Sequence, residues 1–290
     1  MNGTARAIRR SEVLPDTQST QLEFGTFKPT SWQRFLISLT RNTFLHRGLF
    51  RDFMTRIVMG VDGRPIDIAF RGCSYRLLGQ NNLIEYGLLL HPKYNAADIN
   101  FLLSGAPSGA NFIDIGSNIG LYCLPLARAA EGGGMVIAID ANPLMAHTLM
   151  WNADASKLKN VMMFACAVSD REGRGELLVK KDDIAIVHVV ESDEGSIPVR
   201  TLASIVSEAA IQSIHGLKID IEGHEDKALV PFLRQSPDSM LPKRIVIEHP
   251  QPDQDYPGCV RVFVERGYEL KGRSRNNSFY TLKDRARTLP

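Results

Sequence analysis

Two short stretches of this 290-residue chain contain the side chains best suited to chemistry. The first is a glycine turn, Gly116-Ser-Asn-Ile-Gly120, which follows one apolar run, while Asp140 ends the next apolar run. An acid about 20 residues beyond a glycine turn is typical of a site that binds the ribose of a nucleoside cofactor. The alternative is an ordinary strand-turn-helix unit of an α/β domain that binds no ligand.

The spacing of the glycines separates two kinds of nucleoside cofactor. A dinucleotide site needs a glycine in the middle of the turn, where the backbone approaches a pyrophosphate. Asn118 occupies that position here, and Asp114 precedes the turn. Asparagine tolerates a left-handed backbone, so the turn can still form. The pattern therefore favours a single adenosyl cofactor over a dinucleotide.

The second stretch runs from Leu217 to Glu225 and has the sequence LKIDIEGHE. In a strand, Lys218, Asp220 and Glu222 would share one face, opposite an apolar face. Unpaired charges are costly to bury in a central strand, but they suit the carboxyl end of a sheet, where open α/β folds bind ligands. Glu248 ends the next apolar run and could pair with Lys218. The alternative is an edge strand with solvated charges.

Apolar runs and helical patterns alternate along the chain after residue 110, and this order indicates a mostly parallel α/β sheet with helices on both faces. The pattern predicts strands over 111–115, 135–139, 161–167, 217–221, 244–248 and 279–282, helices over 121–130, 143–155, 201–209, 223–233 and 259–266, and a hairpin insertion over 176–190. Residues 82–90 and 96–103 are predicted helices that precede the first strand.

The N-terminal part of the chain differs in charge from the remainder. Residues 1–80 contain 12 Lys and Arg against 6 Asp and Glu, whereas the other 210 residues contain 22 against 26. Residues 1–30 are predicted to be a mobile arm, and residues 31–80 are predicted to form a basic extension. The extension would contain a helix over 32–43 that Ser31 caps, a second helix over 49–59, and strands within 66–78. The basic face could bind the substrate, touch a membrane surface, or only be solvated.

Composition limits the class of protein. An apolar content of 44% and a charged content of 23% are globular values, and no apolar run reaches the ~18 residues of a membrane span. No signal peptide or nucleic-acid-binding motif is recognisable. The four cysteines are scattered without metal-ligand spacing, and three of them lie in apolar elements, which predicts that these three are buried free thiols in a reducing, cytoplasmic compartment.

Four motifs together resemble those of the FkbM family of methyltransferases. They are Asp114-Ile-Gly-Ser-Asn-Ile-Gly120, Asp140-Ala-Asn-Pro143, Ala167-Val-Ser-Asp170 and Lys218-Ile-Asp-Ile-Glu-Gly-His-Glu225. The resemblance covers about residues 82–284, and residues 81–290 would form the catalytic domain. It implies the class I (Rossmann-like) methyltransferase fold, with a seven-stranded sheet whose last strand is reversed. It also implies S-adenosylmethionine as cofactor and a hydroxyl oxygen of a sugar, glycan or polyketide-like product as methyl acceptor.

The resemblance also implies site residues. Cofactor-binding candidates are Asp114, Gly116, Ser117, Asn118, Gly120, Asp140, Ala141, Ala167 and Asp220; the family usually has glutamate where Asp140 stands. An alcohol needs a nearby base, and the candidates are Asp220, His224 and His249. Lys218, Glu222 and Glu248 would be acceptor-side or structural charges. We expect no bound metal, with Mg²⁺ at the acidic cluster as the alternative.

Two other functions remain open at this stage. The chain could be a catalytically degenerate methyltransferase fold that acts as a binding module. It could also be a nicotinamide-dependent oxidoreductase, which Asn118 disfavours. The expected partner is a small-molecule or glycan acceptor, with no nucleic acid and with peripheral membrane contact through the basic helices as a further option.

Overall fold

The computed structural model of the protein describes residues 6–7, 20–46, 48–59, 64–79, 83–180, 183–192, 194–251 and 254–283. The strands are β1 (Arg6–Ala7), β2 (Ile66–Phe70), β3 (Cys73–Leu77), β4 (Phe112–Ile115), β5 (Val136–Ile139), β6 (Val161–Phe164), β7 (Ala167–Ser169), β8 (Gly173–Lys180), β9 (Asp183–Glu191), β10 (Ile197–Thr201), β11 (Gly216–Ile219), β12 (Arg244–Glu248), β13 (Tyr268–Arg273) and β14 (Asn277–Leu282). The α-helices are α1 (Ser31–Arg41), α2 (Gly48–Met59), α3 (Leu83–Leu90), α4 (Ala96–Leu103), α5 (Cys123–Ala130), α6 (Pro143–Ala155), α7 (Leu202–Glu208), α8 (Glu225–Gln235) and α9 (Pro257–Arg266). Short 3₁₀ turns lie at Phe44–His46 and Asp238–Met240.

The main sheet has seven strands in the order β13-β14-β12-β11-β4-β5-β6. The pairs from β12 to β6 are all parallel, whereas β14 runs antiparallel to both β12 and β13. The order reverses between β4 and β11, so the ends of these two strands flank the crevice in which such sheets bind ligands. The predicted class I methyltransferase fold, including the reversed last strand, is confirmed.

The sheet separates two hydrophobic cores because side chains alternate between its faces. Phe112, Val136 and Ala138 belong to the core that contains α4, α5 and α6. Ile113 and Ile137 belong to the opposite core, which contains α7, α8 and α9. Both faces are thus covered by helices, as the near-continuous apolar runs of the strands predict.

Local sequence signals account for most element boundaries. Asn142 caps α6, since its Oδ1 accepts a hydrogen bond from the Leu144 N–H at 3.0 Å, and Pro143 occupies the first turn. Several elements differ from the predictions. The strand predicted over 161–167 is two strands in different sheets, β11 ends at Ile219 rather than residue 221, α8 begins at Glu225 rather than residue 223, and strands β10 and β13 were not predicted.

A second sheet follows β6 in the chain. Strands β8 and β10 are antiparallel neighbours, β7 pairs in parallel with β10, and β9 pairs with β8 to give the predicted hairpin. Its described core contains Ala167, Leu177, Ile197 and Val199. The sheet therefore starts at the end of β6, beside the carboxyl edge of the main sheet.

The helices of the N-terminal extension bury a different face from the one predicted. Thr30, rather than Ser31, is the N-cap of α1, and it forms a reciprocal capping box with Gln33. The buried residues of α1 are Leu36, Ile37 and Thr40. The spacing of Trp32, Phe35, Leu36 and Leu39 in the sequence predicts that these four side chains share an apolar side of the helix, but all of them except Leu36 are exposed.

Hairpin β2-β3 attaches the extension to the helix layer. Tyr75 donates a hydrogen bond from its hydroxyl to the Gly120 carbonyl at 3.2 Å, and the Arg76 N–H donates to Asn152 of α6 at 2.8 Å. Buried residues of α1, α2 and the hairpin belong to the same core as α5 and α6. The turn of the hairpin is at Gly72, with φ of +74°, as predicted.

Arg76 connects this hairpin to the segment that precedes α1. Its guanidinium bonds the Asp67 carboxylate at 2.7 and 2.9 Å, donates to the carbonyls of Leu22 and Glu23 at 2.8 Å, and lies 4.0 Å from the centre of the Trp151 ring. Both charged side chains are 1% exposed. The part of the predicted mobile arm from residue 20 onward is therefore held in place, while residues 1–5 and 8–19 lie outside the described ranges.

All four cysteines are buried and unbridged, which includes the three predicted to be buried free thiols. Within the described ranges, no helix is both long enough and apolar enough to span a bilayer.

Replacing Arg76 by methionine is expected to lower the free energy of unfolding by about 3–5 kcal/mol, because Asp67 would remain as a buried, unpaired carboxylate. Urea unfolding measures the change. Arg34→Met is the control, since Arg34 is exposed and bonds only Ser31 nearby; its effect should stay within about 0.5 kcal/mol. Equal effects of the two substitutions would contradict a structural role for the Arg76 cluster.

Candidate active site

The glycine turn connects β4 to α5 and lies directly over the end of β5. The N–H groups of Gly116 and Ser117 both donate to the Ile139 carbonyl, at 2.9 and 3.0 Å. Gly116, Asn118 and Gly120 all have positive φ, at +76°, +48° and +97°. Asn118 thus adopts the left-handed backbone that its position in the turn was predicted to require.

The glycine turn touches the second motif through Gly116. A Cβ atom built on Gly116 would overlap the carbonyl oxygen of Asp220, which follows the neighbouring strand β11. The Asp220 N–H in turn donates to the Ile115 carbonyl at 3.0 Å. Only glycine allows this close approach, so the two sequence motifs form one continuous surface.

Asp140 supports the glycine turn from the end of β5. Its Oδ2 accepts the Asn118 N–H at 2.7 Å, and its Oδ1 accepts the Asn142 N–H at 2.8 Å. Burial raises the pKa of this carboxyl to about 6, although both hydrogen bonds oppose the shift. Each oxygen keeps a second lone pair for a ligand hydroxyl.

Asp114 and Ser117 present polar atoms that the described residues do not satisfy. Both carboxylate oxygens of Asp114 and the hydroxyl of Ser117 are buried without a hydrogen bond of good geometry among those residues, although the Cys123 N–H lies close enough to Asp114 to affect its pKa. Burial raises the pKa of Asp114 to about 7, and the positive charge of Lys218 and the Cys123 N–H limit the rise. Because buried polar groups in proteins are nearly always paired, these atoms indicate where a polar ligand would bind.

Lys218 places a buried ammonium between the two motifs. Its Nζ lies 3.1 Å from Asp220 Oδ2, donates to the Ile219 carbonyl at 3.1 Å, and lies 5.2 Å from the centre of the Tyr122 ring. The cross-strand pair expected between Lys218 and Glu248 is not formed; Glu248 instead hydrogen-bonds to Asp220.

The Asp220–Glu248 pair shares one proton. Burial and the nearby Asp220 charge raise the pKa of Glu248 well above its ordinary value. Burial also acts to raise the pKa of Asp220, but Lys218 and the hydrogen bond from Glu248 outweigh it and lower that pKa. Asp220 is therefore the ionised partner and Glu248 the protonated one near neutral pH.

A tight turn follows Asp220 and brings further polar residues to the same edge. Glu222 has φ of +55°, so it lies in the turn and the strand alternation predicted through residue 222 ends earlier. The buried Glu225 carboxylate accepts the N–H groups of Ile221 and Gly223 at 2.8 and 2.9 Å and holds the turn closed. His224 is half-buried at the N-cap position of α8.

Three acids converge at this edge. Asp220, Glu222 and Glu248 offer carboxylate oxygens that all lie within 4.8 Å of one another. This spacing would suit a divalent cation, but it equally suits a shared proton. His249 follows Glu248 and is 8% exposed, with a buried Nδ1 that no described residue bonds.

The remaining predicted cofactor residues lie between the two sheets. Ala141 packs against the small core of the second sheet, which contains the buried Ala167 of β7. The structure therefore brings the motif after β5 and the motif after β6 together.

Sequence patterns did not identify one polar network next to Lys218. Tyr122 donates to Asp98 at 2.8 Å, and Asn277 donates to the same carboxylate oxygen at 2.6 Å. Asn95 donates to the Tyr122 hydroxyl at 2.8 Å. These residues come from α4, the glycine-turn segment and β14, so no local spacing could have revealed them.

The chain matches a known protein family over this same region. Residues 114–270 match the Methyltransferase FkbM domain, and that span contains the glycine turn, Asp140 and the whole acidic edge. The chain belongs to the FkbM methyltransferase family. It is accordingly a methyltransferase that uses S-adenosylmethionine, and the oxidoreductase alternative is set aside.

Solved structures of other methyltransferases are similar to the chain at low identity. TYW2 from M. jannaschii, in complex with AdoMet, is 14% identical, with 76% of this chain and 87% of that chain covered and a TM-score of 0.37. Magnesium protoporphyrin IX methyltransferase (ChlM) from Synechocystis PCC 6803, with bound SAM, is 12% identical, with coverage of 86% and 97% and a TM-score of 0.42. No curated protein matches the sequence.

The types of polar group that the described residues of this FkbM methyltransferase present in the candidate site suit S-adenosylmethionine. The unpaired Asp114 carboxylate suits an ammonium group, the free lone pairs of Asp140 suit a diol, and the glycine turn admits a ligand close to the backbone. S-adenosylmethionine carries the ammonium group and the ribose diol that match Asp114 and Asp140, and it can bind close to the backbone of the glycine turn.

Gly116→Ala is expected to lower cofactor affinity at least tenfold, because the new methyl group must displace the Asp220 carbonyl. Calorimetric titration with S-adenosylhomocysteine measures the affinity. Gly133→Ala is the matched control, because Gly133 also has a positive φ, of +117°, but no atom within 4 Å of an added Cβ. If both variants bind equally well, the contact between the two motifs is not needed for the cofactor.

The ligand-free protein is expected to lose stability as the pH rises from about 4 to about 7. Folded Asp114 keeps its proton up to about pH 7, whereas the unfolded chain releases it near pH 4, so deprotonation opposes folding in this window. Asp114→Asn removes the part of this loss that Asp114 contributes, while Asp140, whose pKa is raised to about 6, keeps its own part. The melting temperature of the variant should rise relative to wild type between about pH 5 and about pH 8. The exposed Asp154→Asn should show no such trend. If the difference in melting temperature between Asp114→Asn and wild type stays constant across this pH range, Asp114 is not protonated in the folded protein.

Proposed function

We propose that the protein transfers a methyl group to a hydroxyl oxygen of a sugar, glycan or polyketide-like product. The observation that supports this most is the edge at the ends of β11 and β12, where an ionised Asp220, a protonated Glu248 and Glu222 lie beside the glycine turn. Such a set of acceptors and one donor suits a neutral acceptor with several hydroxyl groups.

The cofactor would occupy the crevice between β4 and β11. In this proposal Asp114 and Asp220 bind its amino group, Ser117 and the turn residues Gly116, Asn118 and Gly120 bind its tail, and Asp140 binds the ribose. Ala141 and Ala167 line the adenine side. When bound, S-adenosylmethionine supplies a methyl group already activated by a sulfonium.

The protein must then position the acceptor oxygen and accept its proton. We assign the general base to His224, since it is half-buried in the turn that also carries Asp220 and Glu222. Asp220 is a weaker candidate because Lys218 holds it ionised with a lowered pKa. His249 is the other alternative, and its small exposure limits its access to an acceptor.

The N-terminal extension would complete the acceptor pocket. Its hairpin contacts the Gly120 carbonyl, and its apolar residues share a core with α5 and α6. We therefore assign residues 31–80 as a cap beside the catalytic domain of residues 81–290, with residues 1–30 as an N-terminal segment whose described part from residue 20 onward is bound to the hairpin and to α6. In this assignment Arg41, which donates to the carbonyls of Leu88 and Leu89 at 3.0 and 2.9 Å, fixes α1 against α3.

Incubation with radiolabelled S-adenosylmethionine and a panel of glycan and polyketide hydroxyl acceptors tests the function. Transfer to at least one hydroxyl acceptor is expected, without a requirement for Mg²⁺. His224→Asn should lower kcat at least a hundredfold and leave cofactor affinity unchanged, because a base contributes to the chemical step alone. The exposed His147→Asn serves as control.

Three results would count against the proposal. Labelling of amine or carbon acceptors only would reject the hydroxyl substrate class. Loss of transfer on chelation, with recovery on adding Mg²⁺, would favour a metal site at the three carboxylates. Cofactor binding without transfer to any acceptor would favour a binding module.

A further inference from the structure

Helices α1 and α2 expose an unusual number of large apolar side chains. Trp32, Phe35 and Leu39 of α1 are 62%, 55% and 39% exposed. Phe50, Phe53 and Ile57 of α2 are 53%, 61% and 42% exposed, and Phe44 of the connecting 3₁₀ turn is 67% exposed. We call these seven residues the aromatic surface.

The aromatic surface is regular rather than scattered. The exposed residues of each helix follow the same i, i+3, i+7 spacing, which places them along one side of the helix. Buried residues occupy the neighbouring side in both helices, Leu36 and Ile37 in α1 and Met54 and Val58 in α2. Each helix therefore has an apolar arc wider than its contact with the core can cover.

The two helices that carry the exposed side chains pack against each other. Trp32 stacks on Phe35 within α1 with ring centroids 5.6 Å apart, and Phe44 of the 3₁₀ turn meets Phe50 of α2 edge to face at 5.6 Å. The 3₁₀ turn packs against both helices, and α1 packs against α2. Two adjoining helices and their connection therefore each contribute exposed apolar side chains to the aromatic surface.

The charge of this segment indicates what the patch binds. Residues 31–59 contain five arginines and a single acid, Asp52; because Arg41 donates to carbonyls of α3, four further arginines, Arg34, Arg47, Arg51 and Arg56, remain against that acid. A second copy of the chain would bring two such positive segments together, and like charges across an interface are unfavourable. An anionic surface compensates them.

We propose that the aromatic surface docks the protein onto the interface of an anionic lipid bilayer. Tryptophan and phenylalanine side chains insert at the boundary between headgroups and acyl chains, and arginines are attracted to anionic headgroups. A bilayer accepts apolar side chains that project from two helices without needing a shaped pocket. The protein binds the surface peripherally, and this inference does not depend on which acceptor is methylated.

Flotation of the full-length protein with lipid vesicles tests the proposal. We expect binding to phosphatidylcholine vesicles that contain about 30% phosphatidylserine, at least tenfold weaker binding to phosphatidylcholine alone, and weakening by added salt. The double variant Phe35→Ser/Phe53→Ser should bind at least tenfold more weakly. Val264→Ser is the matched control, since Val264 is 74% exposed on α9, away from the aromatic surface.

Fluorescence locates the contact. The emission of Trp32 should shift to shorter wavelength on vesicle binding, and Trp32→Phe should abolish the shift while retaining most of the binding. Melting temperatures of all variants verify that they are folded.

Other outcomes would overturn the proposal. A dimeric wild type that Phe35→Ser/Phe53→Ser converts to a monomer, measured by sedimentation velocity, would identify a second copy as the occupant. Vesicle binding that is absent, or that the double variant leaves unchanged, would exclude lipid docking through this surface.

Discussion

The ammonium of Lys218 is the charge on which the active-site edge depends. It is almost fully buried in β11, and strand register places it opposite Asp114 of β4. Its ion pair with Asp220 lowers the pKa of that carboxyl, and burial together with the Asp220 charge raises the pKa of Glu248. Lys218 also limits the rise in the pKa of Asp114 that burial causes, so one buried cation acts on carboxyl groups of both neighbouring strands. Removing it would leave several acids in a low-dielectric site without a counter-charge, which is far more costly than the loss of one hydrogen bond.

Lys218 does not neutralise this edge completely. Its charge acts on Asp114, Asp220 and Glu248, yet Asp114, Asp140 and Glu248 all have raised pKa values, chiefly because they are buried. A positively charged cofactor bound there would stabilise the ionised forms of these carboxyl groups. Both motifs would share this effect, because the backbone of Gly116 is packed against the backbone of Asp220.

Periodicity and end signals were sufficient to predict the parallel strands, the helix capped by Asn142 and the β8-β9 hairpin, because each depends on residues close in sequence. The resemblance supplied the position of the reversed strand. The failures have a different origin. The buried face of α1 is decided by α2 and α3, which pack against it, so the α1 sequence alone could not show that Trp32 and Phe35 stay exposed. In the same way, Lys218 has the strand neighbour Glu248 available but pairs with Asp220, since the end of β11 at Ile219 turns Asp220 toward it.

The Arg76 cluster has a consequence for folding during synthesis. Its partners are Leu22 and Glu23 at one end of the chain, Asp67 within the hairpin, and Trp151 in α6. A ribosome makes the chain from the N-terminus, so residues 20–28 can contact Arg76 and Asp67 once the hairpin has emerged, whereas the contacts with Trp151 form only after α6 has been made. Until α5 and α6 emerge, the buried side chains of α1 and α2 cannot complete the core that they share with those helices. The N-terminal segment is therefore anchored in two steps during synthesis, first at the hairpin and later at α6.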